Sequence, residues 1–302
     1  MTTRLFDLQA HRGGAGLTAE NTLVAFGVAL DLGVSTLELD VHLTADDEVV
    51  VAHDRVLEGD PRFLRQITFE ELRLVDVSDV RAADFPDRVR RPGLTIPLLR
   101  EVYDLLEERG ADPVEVNLEI KYDVTAPLEG TDREHFVETV VAEVERCGAV
   151  ARTSIQAFDW AVLARVHEVC PSLRRNVLAS NKYLQPGIPG PSPWLGGIDV
   201  DDYLGGFAEA AAERGFDAIS PIHGSPYLSG VADPSYRAFA DERLLRAAHG
   251  AGLRVIPYVV DDAATMRHLV DLGADGLITN YPDRLRTVLA EAGLPLPRAF
   301  PG

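Results

Sequence analysis

The sequence predicts an α/β barrel of the TIM type, with eight parallel strands joined by helices. Three observations carry this. Short β-branched or apolar runs alternate with amphipathic stretches along the chain, the pattern of strands joined by helical crossovers. Gly33, Gly110, Gly148, Gly215, Gly252 and Gly273 each close a helical stretch where a left-handed C-terminal cap is needed. The chain has 302 residues, 46% of them hydrophobic, enough for one such barrel, so a single domain over 1–302 is expected.

The expected strands are Asp7–Ala10, Thr36–Leu43, Val114–Ile120, Thr153–Gln156, Arg174–Leu178, Ala218–Ser220, Arg254–Val259 and Asp275–Thr279. Helical patterns lie between them at Thr22–Leu32, Leu98–Arg109, Arg133–Cys147, Trp160–Val169, Phe207–Arg214, Glu242–Ala251 and Ala263–Leu272. In the third, Phe136, Val140, Val144 and Cys147 recur at three- and four-residue spacing and mark one apolar face. Two stretches break the repeat. Arg55–Pro97 is polar, with one short helical pattern at Phe69–Val75, and Asn181–Gly206 is rich in Pro and Gly. Both are expected as long loops on one rim, where they shape substrate access.

The formal charge of −19 is spread along the chain, a field that repels nucleic acid and anionic lipid. A phosphate ester would be repelled too, so a site for one needs a bound cation or a local Arg/Lys pair. Cys147 and Cys170 form no Cys-x-x-Cys pair and fall on helical patterns, as buried thiols do. No segment approaches the ~18 apolar residues of a membrane span, and Met1–Ala10 lacks an apolar targeting core. A cytoplasmic enzyme without a membrane span is the expectation.

The chemistry-bearing residues sit at strand ends. Glu38-Leu39-Asp40-Val41-His42-Leu43 and Val49-Val50-Val51-Ala52-His53 are too close for a parallel crossover, so they must pair as an antiparallel hairpin. A two-residue turn at Asp46-Asp47 sets Asp40 opposite His53, with Glu38 on the same face and His42 pointing away. In Glu115–Lys121, polar and apolar residues alternate, so Asn117, Glu119 and Lys121 share a face. Helices cover the outside of a barrel, which turns that polar face inward or upward. At the end of the first strand, His11 can exchange a proton near neutral pH, and Arg12 can grip phosphate oxygens.

Three carboxylates, Glu38, Asp40 and Glu119, suit one hard divalent cation, Mg²⁺ or Ca²⁺, which also reverses the local sign of the field. His11 and His53 are the expected pair for acid/base cleavage of a phosphodiester. His223, just beyond Ala218–Ser220, could reach the rim, with a surface loop residue as the plainer reading. Trp194 and Tyr203 read as a local core of the long insertion or as a cap over the site.

Together these residues resemble the glycerophosphodiester phosphodiesterase family. The resemblance runs from about His11 to Pro282, through His11-Arg12-Gly13, Glu20-Asn21-Thr22, Glu38-Leu39-Asp40-Val41, His53-Asp54, Ile96-Pro97, Leu118-Glu119-Ile120-Lys121 and Gly273–Pro282. It implies a barrel hydrolase that releases glycerol 3-phosphate and an alcohol from a small glycerophosphodiester. By carry-over, Glu38, Asp40 and Glu119 hold the metal, His11 and His53 are acid and base, and Arg12 and Lys121 contact phosphate. Glu20, Phe158 and Tyr258 complete the substrate-lining set, Glu20 with a structural alternative as a brace of the first loop and Asn21 as a helix N-cap. The chain departs from the family where Trp-Thr-Val-Asn reads Tyr258-Val259-Val260-Asp261, where Gln-Ser-Phe reads Gln156-Ala157-Phe158, and where Pro-Thr-Leu reads Pro97-Leu98-Leu99.

Of the two histidines, His53 is expected as the general acid, held protonated by neighbouring Asp40. His11, beside the Arg12 charge, is the expected base. Two other functions compete. A phospholipase D-type barrel acting on lysophospholipids needs an apolar groove, and the sequence shows none of convincing length. A non-catalytic binding barrel should have lost a metal ligand or a histidine, and all five positions are present.

Overall fold

Alternating strands and helices wind into one barrel in the computed structural model, which describes residues 5–126, 132–227 and 229–302. In chain order the strands are β1 (Asp7–Ala10), β2 (Thr36–Leu43), β3 (Val49–Val51), β4 (Glu115–Ile120), β5 (Thr153–Ala157), β6 (Arg174–Ala179), β7 (Ala218–Pro221), β8 (Gly224–Ser225), β9 (Arg237–Ala238), β10 (Arg254–Val255) and β11 (Gly276–Thr279). Eight of them form the parallel wall, in the order β10, β7, β6, β5, β4, β2, β1, β11. Each expected strand is present within a few residues. The one expected over Arg254–Val259 keeps ladder pairing only through Val255 because Pro257 has no N–H to give. The wall still closes there: Asp275 N bonds Val255 O, Ile278 N bonds Pro257 O, and Val260 N bonds Ile278 O, all at 2.9–3.0 Å.

The helices are α1 (Leu23–Leu32), α2 (Phe69–Leu72), α3 (Leu99–Glu108), α4 (Arg133–Arg146), α5 (Trp160–Val169), α6 (Asn181–Leu184), α7 (Phe207–Glu213), α8 (Glu242–Gly250), α9 (Ala263–Asp271) and α10 (Pro282–Glu291). The sequence reading missed α10, although Pro282 at its first turn is a start signal. The six glycines expected to close helices all have positive φ. Outward residues of the strands, such as Leu37, Leu39, Val41, Leu118 and Ile155, join helix residues in the main core. Among the described residues, no helix is long and apolar enough to cross a membrane.

The hairpin of β2 and β3 is antiparallel, but its register differs from the expected one. Val41 faces Val51 and His42 faces Val50, so Asp40 lies beside Ala52, whose N–H donates to the Asp40 carbonyl at 3.0 Å. The turn has three residues rather than two. Thr44 Oγ1 accepts the Glu48 N–H at 3.0 Å, Thr44 N bonds Glu48 O, and Asp47 takes up φ +60°. This is a type of loop that a left-handed residue permits.

The segment Arg55–Pro97 does more than lengthen a loop. Leu57, Leu64, Ile67, Phe69, Leu72, Val77 and Ile96 bury themselves with Val50, Ala52 and Leu98 in a second small core against the hairpin. Thr68 caps α2, and Glu71 completes the capping box. Val89 N docks on Leu17 O at 2.8 Å, which fastens this unit to the first rim loop.

Candidate active site

Parallel register sets two of the three carboxylates at one height. Asp40 of β2 pairs with Glu119 of β4, and Glu38 pairs with Asn117 one side-chain step lower. Inward parity then brings Glu38, Asp40 and Glu119 together, all buried, with ligand oxygens within 4.8 Å of one another. Lys121 Nζ stands between two of them, 2.8 Å from Glu119 Oε1 and 3.0 Å from Asp40 Oδ1.

The turn after β1 supplies the opposite wall. Arg12 sits at φ +53°, an unusual conformation for a residue with a side chain. Its N–H donates to Glu38 Oε2 at 2.9 Å, and its Nε lies 3.2 Å from Asp40 Oδ2. Gly13, at φ +81°, must be glycine because a Cβ there would meet Ala25 Cβ at 2.8 Å. Asn21, at φ +53°, does not cap α1. Thr22 does, accepting from Ala25 N, while Asn21 Nδ2 donates to Asp40 Oδ2 at 2.9 Å. Glu20 pairs with Arg12 Nη1 at 2.9 Å and lies 3.5 Å from Arg81 Nε, so it braces the first loop as one of its two readings held.

His53 stands one residue beyond the position opposite Asp40. His42, buried as expected away from the triad, donates from Nε2 to the His53 carbonyl at 3.1 Å and anchors it. His53 Nδ1 donates to Asp54 Oδ1 at 2.7 Å, and Arg81 Nη2 holds that same oxygen at 2.7 Å. The carboxylate bonded to His53 is thus Asp54 rather than Asp40. His11 Nδ1 bonds Asn280 Oδ1 at 2.6 Å, and its Nε2 lies 4.0 Å from Glu38 Oε2.

Burial governs the electrostatics. It pushes Glu38 well above the usual carboxylate range, with repulsion from Asp40 and Glu119 adding to it. Glu119 is pushed up to about 7 by burial, against the pull of Lys121. Asp40 goes the other way: burial opposes its charge, but Lys121 and then Arg12 hold it well below its ordinary value. Burial and then Lys121 bring His53 down to about 4, and burial and then Arg12 lower His11 well below its usual value. The expectation that a carboxylate keeps His53 protonated is therefore not met. Asp40 and Asp54 both pull its pKa up, but burial and Lys121 outweigh them.

Three buried carboxylates that repel one another fit a divalent cation well, since hard oxygen donors and excess negative charge are what such an ion requires. Buried polar atoms left without a hydrogen bond cluster here too: Glu20 Oε2, Asn21 Oδ1 and Asp40 Oδ1, the last ion-paired with Lys121 but not aligned for a hydrogen bond.

On the far side of the rim, Phe158 and Tyr258 meet edge to face at 6.0 Å, and the Tyr258 phenol feels the Glu119 charge. The Asn181–Gly206 segment extends this wall. Tyr183 packs on Phe158 at 4.1 Å and Trp194 on Tyr183 at 4.8 Å, so Trp194 belongs to the aromatic wall. Tyr203 instead lines a mixed groove of about 410 Å³ with apolar Val200, Phe207 and Phe239 and charged Asp201, Asp241 and Arg243, which none of the site residues lines. His223 is buried rather than exposed, stacked on Tyr236 with Nδ1 3.1 Å from the phenol oxygen. Cys170 is buried as expected, but Cys147 is only half-buried.

Sequence reasoning missed Arg81, Asp54, Asn280, Asp261 and Tyr183 as site residues. His53-Asp54 and the closing Asn280 lay inside motifs already noticed, but Arg81 carries no local signal.

A closed α/β barrel with buried carboxylates, paired imidazoles and two cations on one rim defines a phosphodiesterase. The family model for the glycerophosphoryl diester phosphodiesterase family matches residues 11–284, and the chain belongs to that family. A glycerophosphodiester phosphodiesterase of Bacillus altitudinis is 27% identical over 285 residues, covering 93% of this chain and 96% of the relative. A human lysophospholipase D is also 27% identical, covering 93% of this chain and 85% of that protein. A solved structure from Silicibacter pomeroyi, described as a candidate glycerophosphoryl diester phosphodiesterase, superposes with a TM-score of 0.79 at 28% identity, over 97% of this chain and 96% of that one. A phosphodiesterase from Oleispira antarctica, solved in complex with the product sn-glycerol-3-phosphate, shares the fold at 20% identity and a TM-score of 0.69, over 95% and 97% of the two chains.

Proposed function

We propose that this chain hydrolyses small glycerophosphodiesters to glycerol 3-phosphate and an alcohol. The observation that carries this reading is the convergence of Glu38, Asp40 and Glu119 within 4.8 Å on a rim that also holds both histidines. Glu38, Asp40 and Glu119 would hold one divalent cation, Mg²⁺ or Ca²⁺. Bound there, such an ion supplies charge neutralisation for the phosphoryl oxygens. The product seen in the Oleispira antarctica phosphodiesterase supports the same product here.

Around that centre the chain's own residues divide the work. Arg12 and Lys121 contribute the remaining positive charge for a phosphate diester, and Glu20 keeps the Arg12 guanidinium in place. Phe158 and Tyr258 line the organic part of the substrate. His53 protonates the leaving oxygen and His11 accepts the proton of the attacking hydroxyl. The assignment rests on the difference between their partners. The Nδ1 of His53 rests on the Asp54 carboxylate, which offsets part of the burial and Lys121 effects that lower its pKa and can support a proton passing through the ring, whereas that of His11 rests on a neutral amide beside Arg12.

The test is release of glycerol 3-phosphate from glycerophosphocholine, glycerophosphoethanolamine, glycerophosphoglycerol and glycerophosphoinositol, with Mg²⁺ or Ca²⁺ added to stripped protein. Turnover of at least one diester, lost by about 10²–10⁴-fold in His11→Ala and His53→Ala, is expected. On a p-nitrophenyl diester, whose leaving group needs little protonation, His53→Ala should recover much of its loss and His11→Ala should not. No release from any diester with either ion would overturn the reading.

A further inference from the structure

We infer that Asp261 acts through Asn280 as a positioning residue that locks His11 in its Nδ1–H tautomer and turns the bare Nε2 toward the carboxylate cluster.

β11 runs beside β1 with Ala10 opposite Thr279, so the residue after the strand, Asn280, emerges next to His11. Past Pro257, the chain brings Asp261 up behind it. Asp261 accepts three hydrogen bonds there: Asn280 N at 2.9 Å and Thr279 Oγ1 at 3.2 Å on Oδ1, and Asn280 Nδ2 at 2.8 Å on Oδ2. Tyr281 N donates to Thr279 Oγ1 at 3.0 Å, and the Arg284 guanidinium bonds the main-chain oxygen of Asp261, so both ends of this clamp are tied down.

The logic is one of donors and acceptors. A carboxylate has no hydrogen to give, so it accepts only the NH₂ end of the Asn280 amide. That choice turns Asn280 Oδ1 toward His11 Nδ1 at 2.6 Å. An amide oxygen only accepts, so Nδ1 must carry the hydrogen, and in the neutral ring Nε2 then holds the lone pair. Nε2 lies on the Glu38 side, 4.0 Å from its carboxylate. Reversing the amide would face two oxygens across 2.8 Å and set an NH₂ against the Nδ1 hydrogen. The family pattern has an asparagine where this chain has Asp261, and an amide there could serve either orientation. The carboxylate removes that ambiguity.

The inference rests on the reading of His11 as the proton acceptor, but its test does not depend on turnover. In full-length protein labelled with ¹⁵N in its imidazoles, long-range ¹H–¹⁵N correlation should show a protonated Nδ1 and a bare Nε2 for His11. Asp261→Ala should populate the other tautomer and lower kcat about tenfold with KM nearly unchanged, the scale on which lost support of a functional imidazole is felt. Asp261→Asn, which keeps one acceptor oxygen but adds a donor, should restore only part of both. A wild-type His11 protonated on Nε2 would overturn the inference. So would an unchanged tautomer and kcat in Asp261→Ala, with the whole effect in melting temperature. Absence of any diesterase activity would instead count against the function while leaving the tautomer question decided by the spectra.

Discussion

Two layers of polar side chains fill the barrel, and they differ in how completely they are satisfied. In the lower layer, Asn117 Nδ2 donates to Gln9 Oε1 and to Gln156 Oε1, both at 2.9 Å, while its Oδ1 accepts from Ser154 and Asn176. These groups are neutral, and each of their buried side-chain polar atoms has a partner. The upper, charged set is Asp40, Glu119, Lys121 and Arg12 toward the rim, with Glu38 reaching up from the level of Asn117, and in it Glu20, Asn21 and Asp40 keep oxygens without a hydrogen bond. Buried polar groups that are fully paired specify a structure, whereas charges left with unused acceptors are costly unless something else binds them. The lower layer therefore reads as scaffold and the upper as function, joined where Gln156 Nε2 steadies Glu38 Oε1 at 2.7 Å.

The largest expected break in this contrast comes from the upper layer. Asp40→Asn keeps the shape but removes the charge that Lys121 and Arg12 face, and kcat/KM should fall roughly 10³-fold. In the lower layer the same kind of change should strike stability instead. Asn117→Leu orphans Gln9, Gln156 and Ser154, each costing about 1–3 kcal/mol, while kcat/KM in the surviving folded protein stays within about threefold. Thermal unfolding and steady-state kinetics on both variants test the division, and an Asn117 variant that kept its melting temperature but lost activity would dissolve it.

Smaller still is the contribution of the insertion. Arg81→Ala frees Asp54 and through it His53, and should lower kcat about tenfold with little change in melting temperature. The mildest effect is linked to pH. Burial raises Glu38 and Glu119, Glu119 to about 7, so the folded chain holds protons there that the unfolded chain has released. Stability from this pair is thus present at low pH and lost as pH rises from about 4.5 through about 7. A divalent ion takes over the role of those protons, so the rise in melting temperature on adding Mg²⁺ or Ca²⁺ should be larger at pH 8 than at pH 6.

How much of this could be read in the chain depended on whether the signal was local. Parity along Asn117, Glu119 and Lys121 gave the inward face correctly, because a strand between helices has no other way to hide Val116, Leu118 and Ile120. Helix ends were legible through their glycines. The hairpin register was not, since a Thr44 hydroxyl bonded to Glu48 N adds one residue to a turn that Asp46-Asp47 alone suggests. That slip misassigned the partner of His53. Asn21 resembled a cap by residue type, yet Thr22 is the better-placed acceptor and Asn21 is free to reach Asp40. Arg81 enters from a segment folded on its own small core, and Asp261 meets Asn280 only because β11 closes the barrel beside β1. Such contacts are products of closure, which no window of sequence contains.

The central claim, that the unsatisfied upper layer is a cation site, meets its most direct test in a crystal soaked with Mn²⁺ and measured for anomalous scattering. A single strong peak should lie among Glu38, Asp40 and Glu119, with their oxygens roughly 2.0–2.6 Å from the ion, and should vanish in Asp40→Asn. A peak elsewhere, with the three carboxylates still paired only to Lys121, Arg12 and their amide neighbours, would contradict it.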